Sequence, residues 1–579
     1  MLSASLSSTS RTLRCPTAGS DLSTPGILQR LIGAETEYAI HFAPYGDGAR
    51  LTDPVLYTAL RDRLMELVTT SEGRGAFARM RQKRFLENGG AIDYESGDPS
   101  QLTGLIEAST PECRGPGQLL LYQRAQERLL SAALSTLRLP GTLSLRKNCR
   151  DAAGNIYGAQ ESYSVPVARG WRLAALRVGL VGVGLVLLPC AVVCQLLIYA
   201  MLVVLILALV MLLPAEIIRG TIRGQDTEEL FTWLEPALRP LNILETWIRR
   251  GCLVLPGSMF ILLMRALAFH PHRTAAVGFL ASRQVFSGAG TLRHDGHLAL
   301  SEKASAVQRV FPLRMWGKQR YIFDPANLHK DLLGPSFGES RRLLRLLRPV
   351  WRLQVGMSDA NMCQVAEYLK IGTTVLVFDA AEAGALQDAP RLVQPADAAR
   401  TIAAEGLSAE VALRGGGRIT ALALQRWYQE RIASWLAASS TVPMEAHDVV
   451  RRWDDVLTRL EDDPASLVGE VDWITKQALL EEAGADLSEA ARKVIDLRYH
   501  ELGSGYFAWL DEAGLTVRML SDADIDAAVR AAPDDTPATQ RGRLIRESGP
   551  ELKVDWEEAS LGRTVISFAE HTRRRRTDD

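Results

Sequence analysis

The chain has 579 residues, of which 47% are hydrophobic and 23% are charged, and its formal net charge is −1. It is too long for one ordinary domain, so we expect one large globular domain with additions. The near-neutral charge gives no basic bias, so we expect no nucleic acid as a partner, and the seven cysteines without a CxxC pair indicate neither a disulfide framework nor a zinc site.

The first candidate site lies in the stretch Leu31–Tyr38 (LIGAETEY), which follows a Ser- and Thr-rich segment predicted to be a disordered tail. The stretch has the composition of a strand, and side chains alternate along a strand, so Glu35 and Glu37 are predicted to share one face. Two neighbouring carboxylates repel each other, and a divalent cation such as Mg²⁺ would relieve that repulsion. The alternative is an edge strand with two ordinary solvent-facing acids.

Two further strand-like pieces carry more acids. The Asn88-Gly89 pair is a hairpin turn signal, and the alternating residues after it place Asp93 and Glu95 on one face. A third piece adds Glu107 and Glu112. A sheet that gathers these six acids on one face would bind a metal and phosphate by its charge.

A long apolar run follows the strands, because Val178–Pro214 contains no charged residue. Its length and hydropathy predict a membrane segment. A second apolar piece, Cys252–Phe269, carries Arg265 and is equally consistent with an amphipathic or re-entrant helix.

Several ordered motifs resemble those of the Pup–protein ligase and Pup deamidase/depupylase family. They are GAETEY, FLENGGAIDYE, IEASTPEC, LRKNCRDAAGNIYGAQESY, SRQVFSGAG and SDANMCQVAEYLKIGTT, followed by the C-terminal stretches VDWITKQALL, VIDLRYHE and PDDTPATQRGRLIR. The likeness covers residues 30–165 and 274–560. It implies a glutamine-synthetase-like carboxylate–amine ligase of α+β class, with a large mixed β-sheet, backing helices and a small C-terminal domain.

The resemblance implies chemistry that depends on ATP and Mg²⁺. Ligases of this family phosphorylate the γ-carboxyl of a C-terminal glutamate on a small protein modifier, and a lysine amine then attacks the acyl phosphate. Depupylase members hydrolyse the same kind of amide. The expected partners are therefore a small protein ending in Glu or Gln, or a small carboxylate substrate, and a protein lysine or another amine. A metal would neutralise phosphate charge, and a carboxylate would take a proton from the amine or water.

The family's site residues carry over position by position. Its metal ligands match Glu35, Glu37 and Glu107, and Glu112 matches a further acid of the same strand motif. Its catalytic aspartate lies seven residues after the Asn of the turn, where this chain has Glu95 and, two residues earlier, Asp93, so both remain candidates for the base. The positions that match the family's nucleotide-contacting motifs are Lys147, Asn148, Arg283, Asp359 and Asn361. For His500 a structural role is favoured.

Two positions depart from the family pattern. Gln160 and Gln354 stand where the family usually has histidine. A glutamine carbonyl can still coordinate Mg²⁺, but it cannot act as an acid or base, so both remain predicted metal ligands of altered character. The long loop of the depupylase branch is also missing from residues 41–84, which favours the ligase branch. A hydrolase and a non-catalytic membrane scaffold are the alternatives.

The largest departure is an insertion between the family-like halves. The predicted plan is a disordered tail at 1–29, a catalytic domain at 30–165 and 274–444, a membrane-associated insertion at 166–273 that contacts lipid, a C-terminal domain at 445–560 and a charged tail at 561–579. The two halves must meet in one sheet, so the number of membrane crossings is even. Basic flanks and cytoplasmic ATP favour a helical hairpin inside Val178–Pro214, turning near Pro189–Gln195, with the catalytic domain facing the cytoplasm. In the other arrangement, the run is one long helix and Cys252–Phe269 returns.

Overall fold

The computed structural model describes residues 26–96, 103–151, 154–223, 234–313, 319–324, 345–484 and 486–568. The predicted disordered tail lies outside the described residues except for residues 26–29. The predicted charged tail is described only as far as residue 568.

One large sheet forms the centre of the described chain. Thirteen of its strands belong to this sheet, in the order β11-β12-β8-β1-β5-β4-β3-β2-β15-β16-β17, with β6 and β7 also paired to β1. Two short hairpins, β9–β10 and β13–β14, stand apart from it. The strands are β1 Leu31–Pro44, β2 Thr70–Gly73, β3 Arg84–Leu86, β4 Ala91–Ser96, β5 Gly104–Ser109, β6 Cys113–Arg114, β7 Gly141–Arg146, β8 Gln160–Pro166, β9 Thr291–Leu292, β10 Leu298–Ala299, β11 Phe323–Asp324, β12 Val350–Val355, β13 Glu410–Ala412, β14 Arg418–Thr420, β15 Lys553–Val554, β16 Glu558–Leu561 and β17 Thr564–Ser567.

Strand β1 organises the sheet because its 14 residues are long enough to pair with two strands along each edge. Its one edge pairs with β5 and β6, and its other edge pairs with β8 and β7, all antiparallel. Ile32, Ala34, Thr36 and Tyr38 are buried, whereas the residues between them are only partly so. This alternation separates a packed face from an open face, as the sequence predicts.

Helices surround the sheet, and several of them back its packed face. They are α1 Asp53–Leu67, α2 Ala76–Met80, α3 Pro116–Thr136, α4 Gly170–Arg223, α5 Leu234–Leu267, α6 Val277–Ser282, α7 Gln284–Ser287, α8 Gln364–Glu382, α9 Pro395–Glu405, α10 Ala421–Ala437, α11 Met444–Asp462, α12 Asp472–Glu482, α13 Glu489–Tyr499, α14 Tyr506–Glu512, α15 Asp522–Arg530 and α16 Pro537–Ser548, with a single π-helical turn at His272–Ala276 before α6. Helix α8 is buried along nearly its whole length, and its Phe378 packs on Tyr163 of β8. The predicted α+β class, with a large mixed sheet and backing helices, is confirmed.

The C-terminal segment joins the main sheet. Strand β15 pairs in parallel with β2, and β16 and β17 extend the same edge. Arg541 of α16 donates to the carbonyl oxygen of Gly89 at 2.9 Å and 2.8 Å, which ties this segment to the turn between β3 and β4. The segment therefore holds one edge of the sheet that carries the acids.

The insertion forms an antiparallel pair of helices, but not the predicted one. Helix α4 continues through Pro189–Gln195 for 54 residues, so the prediction of a hairpin turn at that point is wrong. The chain returns through α5, as in the arrangement the sequence disfavoured. Proline is tolerated within long apolar helices, which is why Pro189 does not mark a turn here.

The base of this helical hairpin packs into the main buried core. Leu176 and Leu180 of α4 and Phe260 and Met264 of α5 belong to one buried cluster with the helices behind the sheet. Arg265 lies at this base and donates to the carbonyl oxygen of Pro312 at 3.3 Å. The Arg265 charge therefore lies at the end of α5 next to the domain and not in the middle of the helix.

Candidate functional site

A row of carboxylates crosses three strands on the open face of the sheet. Glu37 of β1 lies directly opposite Glu107 of β5, and Glu107 lies opposite Asp93 of β4. Residues opposite each other in antiparallel strands point to the same face, so these three side chains form one line. Period-two alternation adds Glu35 and Glu95 to the same face. Five of the six acids that the sequence grouped on one face thus share it, and Glu112 does not.

Two basic side chains lie at the β4 end of this row. The Arg81 guanidinium contacts Asp93 at 3.1 Å, Glu95 at 2.9 Å and Glu107 at 2.8 Å. The Lys83 ammonium lies 3.5 Å from the other Asp93 oxygen. Opposite charges at these distances stabilise the ionised acids in a partly desolvated site.

Burial works against ionisation of the same acids. Desolvation, reinforced by the charges of Glu35 and Asp93, raises the pKa of Glu107 to about 8. Burial also raises the pKa of Asp93 and the pKa of Glu37, although Lys83 and Arg81 oppose the shift at Asp93 and Lys303 opposes it at Glu37. Acids with raised pKa values in a row are sites where an added cation would be stabilised.

The β1 end of the row contains the predicted glutamine ligands. Gln160 lies directly opposite Glu35, and Gln354 of β12 lies opposite Ser162 of β8, so all three side chains belong to the open face. Arg352, on the same face, contacts Glu35 at 2.5 Å. Glu37 accepts a hydrogen bond from the backbone N–H of Gly158 at 2.7 Å. The structure thus brings the predicted metal ligands together with an arginine among them.

These residues suit a hard cation by their chemistry. Carboxylate and amide oxygens are the ligands that Mg²⁺ prefers. Among the described residues, however, no three His, Cys, Asp or Glu side chains converge into a ready-made metal site. Arg81 and Arg352 lie between the acids, so the carboxylates pair with arginine and do not converge on one metal position. The residues present fit Mg²⁺ at the β1 end, where Glu35, Glu37, Gln160 and Gln354 would hold it.

Arg283 lies on the other face of the sheet. Its guanidinium makes two contacts with Glu161 at 2.9 Å and 2.7 Å and also donates to the Thr374 hydroxyl and the Met357 carbonyl oxygen. Glu161 alternates with Gln160 along β8, so it points away from the acidic row. The predicted phosphate contact at Arg283 is not supported, because this buried arginine joins the sheet to the helices behind it.

The remaining predicted nucleotide residues form a buried network rather than an open pocket. Lys147 donates to Glu127 at 2.7 Å and to the Asn361 carbonyl oxygen at 2.5 Å. Burial, with the nearby charge of Arg124, lowers the pKa of Lys147. The Asn361 side chain donates to the Asp472 carboxylate at 2.8 Å. These contacts join the segments around Lys147 and Asn361 to α12, so a direct nucleotide role for these two residues is not supported.

Two other members of this predicted set also hold the backbone. The Asp359 carboxylate accepts from the backbone N–H groups of Ala289, Glu302 and Lys303 at 2.9 Å, 3.1 Å and 2.9 Å. Asn148 donates to the Arg150 carbonyl oxygen and, at 3.0 Å, to the Tyr157 hydroxyl. Asp359 therefore organises the loop whose Lys303 faces Glu37, which gives it a supporting position behind the acidic row.

Glu112 and His500 also lie away from the row. Glu112 is bound by the Arg541 guanidinium, with one contact of 3.1 Å. His500 is fully buried, where burial lowers its pKa well below the usual value, and its ring lies 3.1 Å from the Lys476 ammonium. The structural role expected for His500 agrees with these contacts, and Glu112 fastens the C-terminal segment to the sheet.

The two candidate bases differ in access. Asp93 is fully buried beneath Arg81 and Lys83, whereas about half of the Glu95 side chain, 47%, is exposed. A general base must reach the proton that it removes. Glu95 meets that requirement without rearrangement, and Asp93 does not.

Sequence reasoning missed the cations of the site. Arg81, Lys83 and Arg352 lie outside the motifs that the sequence offers for the site. Arg81 and Lys83 lie two residues apart just before β3, so strand alternation could have placed them on one side. No local signal shows that this side faces Asp93, because that depends on the β3–β4 pairing.

Comparison with known proteins supplies the family context. A family model described as Pup-ligase protein matches residues 30–560. The Pup–protein ligase of Corynebacterium diphtheriae is 30% identical over 313 residues, which cover 51% of this chain and 62% of that protein. The depupylase of Acidothermus cellulolyticus is 31% identical over 297 residues, 48% of this chain and 56% of that protein. The chain thus spans about three-fifths of the length of these curated relatives.

Solved structures agree on the fold. The complex between the prokaryotic ubiquitin-like protein Pup and its ligase PafA superposes with a TM-score of 0.62 at 20% identity, covering 94% of this chain and 90% of that one. PafA in complex with ADP gives a TM-score of 0.56 at 20% identity, covering 91% of this chain and 93% of that one.

Proposed function

The chain belongs to the Pup-ligase family, and we propose that it is an ATP-dependent carboxylate–amine ligase that acts on a Pup-like modifier. In this proposal, the γ-carboxylate of a C-terminal glutamate is activated as an acyl phosphate and joined to a lysine amine. The observation that carries the proposal is the buried row of Glu37, Glu107 and Asp93 across β1, β5 and β4. Such a row stabilises cations, and phosphate-binding sites need cations.

The residues of the open face have separate roles in this mechanism. When bound, Mg²⁺ neutralises phosphate charge and orients the transferred phosphoryl group. Glu35, Glu37, Gln160 and Gln354 would hold it, and Glu107 completes the negative surface behind them. Arg352 has the fork of donors that suits phosphate oxygens and lies at the β1 end.

Proton removal is assigned to Glu95. Its half-exposed carboxylate can reach an incoming amine, and its contact with Arg81 at 2.9 Å keeps it oriented. Asp93 serves as the buried carboxylate that holds Arg81 and Lys83 in position. The amine loses its proton as it attacks, so the base must lie on the open side of the row.

A hydrolase on the same cradle is the second candidate. The depupylase of Acidothermus cellulolyticus matches this chain as well as the ligase of Corynebacterium diphtheriae does, at 31% and 30% identity. In a hydrolase, Glu95 would activate water instead of an amine. The missing loop at residues 41–84 supports the ligase.

One experiment separates the candidates. The purified full chain is mixed with Mg-ATP, a small protein ending in Glu and a lysine-bearing acceptor, and conjugates and ADP are measured by mass spectrometry. A ligase forms the conjugate only with ATP, whereas a hydrolase cleaves a preformed conjugate.

Calorimetry of ATP binding with and without Mg²⁺, for wild type and Glu35→Ala, tests the metal face. Equal ATP affinity in all four titrations would reject the metal role and support the non-catalytic scaffold.

We also propose that helices α4 and α5 anchor the protein in a membrane, with the catalytic part on the cytoplasmic side. Gly170–Leu207 and Ile243–Leu267 are each long and apolar enough to span a bilayer by length and composition. Outward residues of α4 such as Leu185, Leu188 and Leu196 are exposed to a degree unusual for leucine. An exposed apolar surface of this extent is typical of contact with lipid.

Cysteine labelling tests the anchor and its topology. Single cysteines at positions 170, 192, 222 and 270, in a background lacking the native ones, are exposed to an impermeant reagent in intact cells. A two-helix crossing predicts that 170 and 270 are shielded and that 222 reacts from outside. Labelling of 192 with 222 shielded would restore the turn at Pro189–Gln195. Reaction of none of the four in intact cells, with full recovery of the protein in the soluble fraction after disruption, would reject the anchor.

A further inference from the structure

Arg81 has a distinctive position in the acidic row, because one guanidinium contacts carboxylates from two neighbouring strands. It reaches Asp93 and Glu95 of β4 and Glu107 of β5 at 2.8 Å to 3.1 Å. Only 12% of its side chain is exposed. This is the arrangement that a bound cation makes with oxygen ligands from several strands.

The backbone and neighbours of Arg81 hold it there. Its carbonyl oxygen accepts from the Tyr94 N–H at 2.9 Å, and its Nε donates to the Tyr94 carbonyl oxygen at 3.3 Å. The Phe77 ring of α2 lies 5.6 Å from the guanidinium carbon, in cation–π range. Arg81 is thus fixed from both sides and is not a surface side chain that swings freely into the row.

Charge at this end of the row is nearly balanced without a metal. Three carboxylates, from Asp93, Glu95 and Glu107, face the two cations Arg81 and Lys83. At most one negative charge is uncompensated, which is too little to attract a divalent cation against two fixed positive charges. Arg81 is the cation that this end of the row stabilises. Burial acts to lower its pKa, but the three carboxylates raise the pKa overall.

The β1 end differs. There Glu35 pairs with Arg352, whose side chain is 39% exposed and is therefore easily displaced. The buried Lys303 ammonium, whose charge acts on Glu37, is already held by the carbonyl oxygens of Gly158 and Ala159 at 3.2 Å and 2.7 Å. Gln160 and Gln354 add neutral oxygen ligands. A divalent cation can bind at this end without expelling a buried arginine.

We propose that Arg81 is a fixed cation that replaces a divalent metal at the β4–β5 end of the acidic row and confines metal binding to the β1 end. This inference rests on the proposed metal- and nucleotide-binding function of the face. It makes Arg81 a positioning residue that orients Glu95 and presents positive charge to phosphate without dissociating. The protein therefore binds fewer divalent ions than its number of acids indicates.

The test counts divalent ions on the full-length protein in detergent. Mn²⁺ alone, and Mn²⁺ with ADP, are titrated while free Mn²⁺ is followed by electron paramagnetic resonance. We expect about one tight Mn²⁺ per wild-type chain and about two in Arg81→Met, since removing the guanidinium leaves Asp93, Glu95 and Glu107 with only Lys83. Arg81→Lys keeps a cation and is expected to bind about one.

The matched control is Arg79→Met, which removes an exposed arginine of α2 two residues away. It is expected to keep the wild-type stoichiometry. Melting curves show whether each variant is folded. If Arg81→Met does not fold, the wild-type count decides, because about two tight Mn²⁺ per wild-type chain would overturn the inference and about one would support it.

The outcomes separate this inference from the proposed function. About one Mn²⁺ in both wild type and folded Arg81→Met overturns the role of Arg81 but leaves the metal-dependent function standing. No tight Mn²⁺ in either protein overturns both. A rise from none in wild type to about one in Arg81→Met supports Arg81 as the replacement cation and contradicts the proposed metal site at the β1 end.

Discussion

The acidic face of the sheet and the α4–α5 hairpin differ in opposite ways from the usual pattern of exposed charged and buried apolar side chains. The face buries carboxylates such as Asp93 and Glu107, whereas the hairpin exposes leucines such as Leu185 and Leu188. Buried charge and exposed apolar surface are both unfavourable in water. The two proposals made above would each supply a more favourable environment, a cation and phosphate at the face and lipid around the hairpin.

The two regions differ in how far the chain itself compensates. The acidic face contains its own cations, and Arg81 alone satisfies three carboxylates. The hairpin packs into the core at its base through Leu176 and Phe260, whereas distal residues of α4 such as Leu202 and Leu207 are exposed. We therefore expect substitutions in the hairpin to change its binding to lipid. Substitutions in the acidic face are expected to act through the charges within that face.

The largest expected effect comes from removing the apolar surface of α4. The triple change Leu185→Gln, Leu188→Gln and Leu196→Gln should move the protein from vesicles to the soluble fraction in a flotation assay. Each buried leucine contributes about 1.5–3 kcal/mol, so the three together contribute about 5–9 kcal/mol. The matched control replaces Val494, Trp509 and Leu515, which are exposed apolar residues near the C-terminus. Equal flotation of both triple variants would contradict the lipid contact.

The next effect separates the exposed acid from the buried one. Glu95→Gln should lower turnover about 10²–10⁴-fold and leave ATP affinity unchanged, because the amide has nearly the same shape but cannot accept the proton. Turnover and calorimetric affinity are measured on the same preparation. Asp93→Asn is the comparison: if it loses turnover with ATP binding intact while Glu95→Gln does not, Asp93 is the base. Full activity in the double variant would exclude both.

The third prediction compares the two faces of the sheet. Glu161→Gln on the packed face should destabilise the fold by about 3–5 kcal/mol, because it leaves the buried Arg283 charge uncompensated. Glu35→Gln on the open face removes a partly exposed pair with Arg352 and should cost less than about 1 kcal/mol. Denaturant unfolding measures both. Similar losses would show that the two faces are solvated alike.

The smallest effect is a pH dependence of stability. Burial keeps the Glu107 proton in the folded state until its pKa of about 8, whereas the ordinary value is 4.5. The unfolded state loses that proton first, so the free energy of unfolding should fall as pH rises from 4.5 to 8. Glu107→Gln has no such proton to lose. Its free energy of unfolding should therefore fall between these pH values by about 1 kcal/mol or more less than that of the wild type.

Glu66→Gln controls that measurement. This glutamate is exposed on α1, and its replacement should leave the wild-type pH profile unchanged. The same pH profile in wild type and Glu107→Gln would contradict the burial of this carboxylate.

Much of the acidic face could be predicted from the sequence. Period-two alternation placed Glu35 with Glu37 and Asp93 with Glu95, and the structure confirms that they share a face with Glu107. The family resemblance and the α+β sheet are also confirmed. The nucleotide-binding role predicted for three residues is not supported, because Arg283 lies behind the sheet and Lys147 and Asn361 hold α12. Motif matching identifies which residues correspond to the family's site, but it does not show which face of the sheet their side chains occupy.

The sequence by itself determined the local patterns of this protein: which acids share a strand face, and where the chain is apolar enough for lipid. Both follow from alternation and composition over a few residues, and no distant contact is needed to see them. Only the tertiary structure decided that Arg81 and Lys83 neutralise Asp93, that Glu161 holds Arg283 behind the sheet, and that α4 runs past Pro189 to return through α5. These outcomes depend on strand pairing and helix packing between segments far apart in the chain, and charges or apolar side chains acquire their partners only when that packing forms.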